Sequence, residues 1–312
     1  MTSILTVTPN PAIDHTIFIS DFTAGKVNRV KGERHDVGGK GFNVASFLKD
    51  YGIDDIAASG FLGRENKDLF EGFFIEREIK DEFIYLNGKT RTNIKIVDDI
   101  KNEITDINFP GLQCDKQSCH DLKDKLARLA RRYEGFVLSG SLPPGAPADF
   151  FADITSTLKS LGKFVALDTS GVALKRAIDE KPDIIKPNIF EFCELLDLKN
   201  PSLEDIIEGL KHLLGLGIKT ICLSMGERGA LFAEDGKIIS AIPPKIKVLS
   251  TVGAGDAMVA GLIAGTLSKQ SLAKRAKLAT AFSSCALTKF GAGRTTLERV
   301  SSVLKDINVK EV

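Results

Sequence analysis

Hydrophobic residues fall along this chain in two alternating rhythms. Short runs that are apolar at most positions recur at Ile4 to Thr8 (ILTVT), IAASGFLG (56–63), GFVLSG (135–140), FVALDTS (164–170), DIIKP (183–187) and TICLSM (220–225). Runs of that length predict strands buried on both faces. Between them the apolar positions return at helical spacing. Residues 41–51 put Val44, Phe47 and Leu48 on one face, with Gly52 placed to cap the C-terminus. The same spacing predicts helices near 66–78, 118–133, 148–161 and 203–215, then a mainly helical final third with helices at 254–267, 272–289 and 296–307. Helices alternating with wholly apolar strands imply βα units and a parallel sheet covered on both faces.

Two stretches break that rhythm. Residues 13–37 and 82–108 carry period-two, β-branched patterns such as Thr16-Ile17-Phe18-Ile19 and Thr92-Asn93-Ile94-Lys95-Ile96-Val97. No helix separates these strands, so they do not read as βαβ units. They predict a small, mainly antiparallel sheet inserted into one α/β domain spanning 1–312. No internal repeat, low-complexity tract or interdomain linker interrupts the chain.

Composition narrows the function. Among 312 residues, 43% are apolar and 27% charged, the balance of an ordinary globular protein. The net charge of +1 supplies no general field for nucleic acid or an anionic membrane, so neither is expected as a partner. Any bound anion must be held by local groups. The five cysteines, Cys114, Cys119, Cys193, Cys222 and Cys285, are odd in number and lack CxxC spacing. They suggest neither a disulfide framework nor a zinc site, and reduced thiols fit a cytoplasmic location. MTSILTVTPNPAID has no basic segment leading a long apolar one, and no apolar run approaches a membrane span.

Two glycine-rich turns carry the chemical signal. Thr251-Val252-Gly253-Ala254-Gly255-Asp256 lies between the strand-like KIKVL (245–249) and an apolar helix. Glycines at a helix start let backbone N–H groups approach an anion, and the helix dipole favours negative charge there. Asp256 then reads either as a helix cap or as a base beside an anion hole. Asp36-Val37-Gly38-Gly39-Lys40-Gly41-Phe42-Asn43 is again glycine-rich before a helix, but it is neither GxxxxGK[ST] nor GxGxxG. It reads either as a plain strand-to-helix turn or as a turn wrapped around a polar ligand, with Lys40 and Asn43 as donors.

GGKGFNVA (38–45) and TVGAGDAMVAG (251–261), in this order and at this separation, resemble the paired signatures of the PfkB, or ribokinase-like, carbohydrate kinase family. The resemblance runs the whole chain. TPNPAID, GKTRTNIKI, EITDINFPG, SGSLPPG, IKPNIFE and STVGAGDAMVAG resemble the branch that acts on already phosphorylated ketohexoses. It implies a ribokinase-like three-layer α/β/α sandwich with a mainly parallel sheet and a small β-sheet lid. It implies ATP and Mg²⁺, and a homodimer joined through the lid, which would cover an otherwise unpaired sheet edge. Thr105-Asp106-Ile107-Asn108-Phe109-Pro110-Gly111 favours fructose 1-phosphate, phosphorylated at its 6-hydroxyl. Tagatose 6-phosphate, fructose 6-phosphate, or a sugar-phosphate sensor without catalysis are the alternatives.

The resemblance also assigns roles. Asp256 matches the catalytic base, and Gly253, Ala254 and Gly255 the anion hole, with Thr251 and Gly255 beside the nucleotide. Asp14 matches the carboxylate that grips sugar hydroxyls; Gly38, Gly39 and Asn43 match the sugar-binding turn. Lys40 and Arg91 are candidates for the substrate's phosphate, because a phosphate calls for cationic donors. Ser139, at the end of a strand, is a candidate to face the same phosphate. Asn188 and Glu191 match residues that act on Mg²⁺, partly through water, and Lys186 one that reaches the triphosphate. Ser224, Gly226, Glu227 and Gly229 resemble a nucleotide loop, although alone they would read as a hairpin turn. Many relatives carry an acid where this chain has Ser250, so no monovalent-cation site is claimed.

Overall fold

In the computed structural model, which describes residues 3–288 and 295–312, the apolar runs become the centre of one large sheet. The chain runs through β1 (Ser3–Thr8), β2 (Ala12–Ile19), β3 (Gly32–Gly38), α1 (Lys40–Asp50), β4 (Asp55–Gly63), α2 (Asp68–Arg77), β5 (Lys80–Asp81), β6 (Ile84–Leu86), β7 (Thr92–Asp98) and β8 (Glu103–Ile107). It continues through α3 (Lys116–Leu129), β9 (Gly135–Ser139), α4 (Phe150–Ser160), β10 (Phe164–Asp168), α5 (Gly171–Ala177), β11 (Ile184–Ile185), α6 (Ile189–Leu196), α7 (Leu203–Gly215) and β12 (Thr220–Ser224). The last elements are β13 (Ala230–Glu234), β14 (Lys237–Ile242), α8 (Ala254–Leu267), α9 (Leu272–Leu287), α10 (Leu297–Asp306) and β15 (Asn308–Glu311). Lys289, the last residue of the helix predicted at 272–289, lies outside the described residues.

β1 pairs in parallel with β4 on one side and with β9 on the other, so strand order reverses there. From β9 the sheet grows in parallel through β10 and β11 to β12. Side chains alternate between two cores, as a doubly covered sheet requires. On β10, Val165 and Leu167 join the core under α3–α7, while Ala166 joins the one under α1, α8 and α9. Helices α8 and α9 are in close contact: a Cβ on Gly261 would stand 2.7 Å from the Ala279 Cα. That packing fixes where the α8 N-terminus points.

The three helices predicted in the final third are present as α8, α9 and α10, and β13, β14 and β15, in stretches left unassigned before and after them, extend the far edge of the sheet antiparallel. Asp235 and Gly236 both have positive φ between β13 and β14, the hairpin signal Asp-Gly. The strand predicted at KIKVL is irregular. Pro243-Pro244 offer no donors to a ladder, and Val248 and Leu249 are exposed.

The small sheet has the order β3-β2-β7-β8. Its outer pairings are antiparallel, but the central pair β2·β7 is parallel, since the chain returns to β2 only after traversing α1 to β6. The segment predicted at 82–108 contributes to this sheet from Thr92 on. Before that, β5 and β6 pair with β4, along the edge of the large sheet.

Candidate active site

The parallel strands β1, β9, β10, β11 and β12 end on one edge of the large sheet, and the order reverses at β1. In open α/β sheets that is where ligands collect. A cleft of about 610 Å³ opens there, bounded by these strand ends, the N-terminus of α8 and the small sheet. That volume suits a small-molecule ligand.

The turn at 38–41 needs its glycines for close approach. A Cβ on Gly38 would stand 2.7 Å from the Asp14 Cγ, and one on Gly41 would stand 2.1 Å from the Thr8 Oγ1. Gly39 has φ 132°, a conformation that side chains rarely adopt. The turn therefore packs directly on Asp14. That carboxylate accepts a hydrogen bond from Asn93 Nδ2 at 3.3 Å and lies 3.9 Å from Lys95 Nζ. Burial raises its pKa, opposed by Lys95 and Asn93.

Asp256 stands in the first turn of α8, after Gly253 in a left-handed conformation at the N-cap. The N–H groups of Gly255 and Asp256 have no acceptor among the described residues, as the start of a helix leaves them. Asn43 Nδ2 donates to Asp256 Oδ2 at 2.7 Å, across 213 residues of sequence. The two glycine turns thus meet. Asp256 is buried, and burial raises its carboxyl from 3.8 to about 6. Lys40, Asn43 and Lys186 oppose that rise, and the charge of Asp168 adds to it.

Asp168 was not foreseen. It ends β10, is 1% exposed, and its Oδ1 lies 3.1 Å from Lys40 Nζ and 3.4 Å from Lys186 Nζ. Burial alone would raise its carboxyl; Lys186 and Lys40 hold it below the usual range. Burial alone would lower Lys40; Asp168, Asp256 and Glu191 together raise it. A Cβ on Gly255 would stand 3.3 Å from Lys186 Nζ, so the buried ammonium lies against the anion-binding helix start. The strand-end rule that pointed to Ser139 would have found Asp168 one strand over. Asn93, Lys95, Ser141 and Thr169 also line the cleft and went unread in the sequence.

The other candidates are placed as follows. Asn188 and Glu191 line the cleft but form a capping box at the start of α6, each side chain bonding the other's backbone N–H. One Glu191 oxygen remains outside that box. Ser224 lines the cleft, whereas Gly226, Glu227 and Gly229 form the turn between β12 and β13, beyond the cleft lining. Thr251 is exposed. Ser250 accepts a hydrogen bond from the Val252 N–H.

Two placements differ from expectation. Ser139 is fully buried beneath Gly41, with no partner for its hydroxyl, and Gly140 and Ser141 reach the cleft in its place. Arg91 borders the cleft, but its guanidinium donates to the carbonyls of Pro11, Phe109 and Asn10 at 3.2, 2.7 and 2.8 Å. It ties together three chain crossings at the base of the small sheet, which leaves two of its five N–H donors.

The arrangement sets a buried carboxylate, two ammonium groups and free helix N–H groups around one point. That suits deprotonating a hydroxyl while negative charge accumulates beside it. The profile of the pfkB family carbohydrate kinases matches residues 7–299. The chain is 41% identical to the 1-phosphofructokinase of Rhodobacter capsulatus over 308 residues, covering 98% of this chain and 97% of that one. It is 35% identical to the 1-phosphofructokinase of Escherichia coli K12 over 308 residues, covering 98% of both. A Thermotoga maritima crystal structure matches with a TM-score of 0.89 at 26% identity, over 99% of both chains. Escherichia coli phosphofructokinase-2, solved in complex with potassium, shares the fold with a TM-score of 0.91 at 23% identity, over 98% of this chain and 99% of that one.

Proposed function

The chain belongs to the pfkB family of carbohydrate kinases, and on that footing we propose that it transfers the γ-phosphoryl group of ATP to the 6-hydroxyl of fructose 1-phosphate, giving fructose 1,6-bisphosphate and ADP. It is a sugar-phosphate kinase, like the 1-phosphofructokinases it matches at 35–42% identity along nearly its whole length. The observation that carries the mechanism is the contact between Asn43 and Asp256, which brings the sugar-side turn against the phosphate-side turn.

Asp14, Asn43 and the Gly38-Gly39 turn orient the sugar. Asp256 takes the proton of the attacking hydroxyl. The Gly255 and Asp256 N–H groups and the ammonium groups of Lys186 and Lys40 offset charge on the transferring phosphoryl group. The two remaining Arg91 donors are the candidates for the substrate's own phosphate, while Lys40, held on Asp168 beside Asp256, serves the reacting end instead. The Glu191 oxygen outside the capping box suits Mg²⁺, directly or through water, with Asn188 beside it, and the ion when bound would neutralise charge on the nucleotide phosphates. Ser224 supports ATP at the end of β12.

We read the chain as a single kinase domain whose small sheet closes over the sugar. Ile104, Ile107 and Phe109, 40%, 44% and 46% exposed on and just after β8, suit docking of a second copy there. Five free cysteines and dependence on ATP favour a cytoplasmic location.

A coupled ADP-release assay across fructose 1-phosphate, fructose 6-phosphate and tagatose 6-phosphate tests the assignment. The highest kcat/KM is expected for fructose 1-phosphate. Preference for a 6-phosphate would replace the substrate, and binding without turnover would replace catalysis by sensing.

A further inference from the structure

We propose that His15, Glu33 and His35 form a binding site for a borderline transition-metal ion, Zn²⁺ being the best fit, on the face of the small sheet opposite the catalytic cleft. Side chains alternate along a strand. Asp14 and Thr16 on β2, and Arg34 and Asp36 on β3, line a hollow that adjoins the cleft and shares Asp14, Asn43, Lys95 and Val252 with it. His15, Glu33 and His35 therefore share the other face. His15 and His35 stand directly opposite in the β2·β3 register. Their rings stack with centroids 4.0 Å apart and 18° between planes. His15 Nε2 lies 2.7 Å from Glu33 Oε2, and one ligand atom from each of the three residues lies within 4.8 Å of the others. Among the described residues no other group of three such side chains comes so close.

Tetrahedral zinc, with bonds of about 2.0–2.1 Å, sets its ligand atoms roughly 3.3 Å apart. The two imidazoles must turn out of their present stack for their nitrogens to converge on one ion, while the backbone ladder already holds the strands in register. Where one proton is now shared between His15 and Glu33, a metal ion would take its place. Two imidazoles and one carboxylate suit zinc rather than Mg²⁺, which prefers oxygen alone. Glu33 is 59% exposed, so water can complete the coordination. The ion would cross-link β2, which carries Asp14, to β3, which leads into Gly38-Gly39-Lys40, and so stiffen two sugar-side elements together.

The test titrates Zn²⁺ calorimetrically into tag-free, chelator-stripped protein in excess Mg²⁺, with Co²⁺ absorption as a second probe. One equivalent should bind and raise Tm, with a visible Co²⁺ spectrum of four-coordinate intensity. Losing even an outer partner of a ligand weakens metal affinity 10–100-fold, so His35→Ala should weaken Zn²⁺ by about 100-fold or more. Glu33→Gln should also weaken it. Binding should fall as pH falls, because protons compete for imidazole nitrogen. Turnover of His35→Ala in excess Mg²⁺ with a zinc-selective chelator should equal that of the unmodified chain, showing an intact fold. The absence of stoichiometric Zn²⁺ binding, or binding that survives in both variants, would overturn the proposal.

Discussion

Asp256→Asn should move activity and stability in opposite directions. The substitution keeps the shape of the side chain and an oxygen able to accept from Asn43 Nδ2, 2.7 Å away in the present structure. It removes the charge. A general base contributes roughly 10²–10⁴ to rate, so turnover should fall by about 10³ or more with sugar-phosphate binding largely retained. Stability follows from linkage. The carboxyl is raised from 3.8 to about 6, chiefly by burial, so folding opposes its ionisation. Below pH 3.8 the group is protonated in both states and contributes nothing. Stability is lost as pH rises from about 4 to about 6, and above that the penalty is constant, on the order of 3 kcal/mol. Asparagine lifts that penalty, so the variant should melt a few degrees higher at pH 7.5 and match the unmodified protein near pH 4. Coupled ADP release and calorimetry at the two pH values provide the readouts. A residue of purely structural importance would lose both activity and stability; a variant with lower Tm at pH 7.5, or with near-normal turnover, refutes the reasoning.

Other substitutions probe the neighbours of Asp256. Asp168→Asn should lower kcat by about 10²-fold, the scale of losing a preorganised charge contact. It should also move the acid limb of the kcat/KM profile to lower pH, because Asp168 helps raise Asp256 while both lysines remain; an unmoved limb would remove Asp168 from this role. Gly38→Ala sets a methyl 2.7 Å from the Asp14 Cγ, and KM for the sugar phosphate should rise about tenfold or more, given roughly 1.4 kcal/mol per factor of ten. An unchanged KM would mean that Asp14 does not grip the sugar. Arg91→Lys keeps the charge but can satisfy only part of three carbonyls, so it should be destabilised by about 2 kcal/mol, nearly as much as Arg91→Ala. Full rescue by lysine, read from urea unfolding and KM, would show that charge on the substrate phosphate is all that Arg91 supplies.

The buried strands and their helices were legible because burial on both faces leaves an unmistakable run of apolar residues, as in ILTVT or TICLS. What escaped depended on partners distant in sequence. β15 is an edge strand of four residues, two of them charged, whereas β13 and β14 lie inside the sheet and were announced only by their turns, Ser224 to Gly229 and Asp235-Gly236. Lys-Ile-Lys-Val-Leu has a strand's alternation but finds no partner strand, so the pattern alone misleads. The parallel pairing of β2 with β7 is set by the path of the chain through α1 to β6, which local pattern cannot report. At the site, glycine turns are visible because φ and close approach restrict residue choice. The strand-end rule reaches Asp168 as a position, but one aspartate ending a strand looks like any other until two lysines from remote segments converge on it.

That convergence also explains how the fold tolerates its own active site. Unpaired buried charges are strongly destabilising, and Asp168, Asp256 and Lys186 are each at most 6% exposed. With Lys40 the group carries two negative and two positive charges, so the cluster of four is formally neutral. Asp168 holds both lysines at one oxygen, which keeps them close without neutralising Asp256. Incoming phosphates add negative charge and can draw Lys40 and Lys186 partly towards themselves. In the proposed reaction Asp256 then gains the proton of the sugar hydroxyl, becoming neutral as the transferred phosphoryl group leaves the nucleotide. The carboxylate that burial strains is the one that the proposed reaction would discharge, and its raised pKa would make it a stronger base for that step.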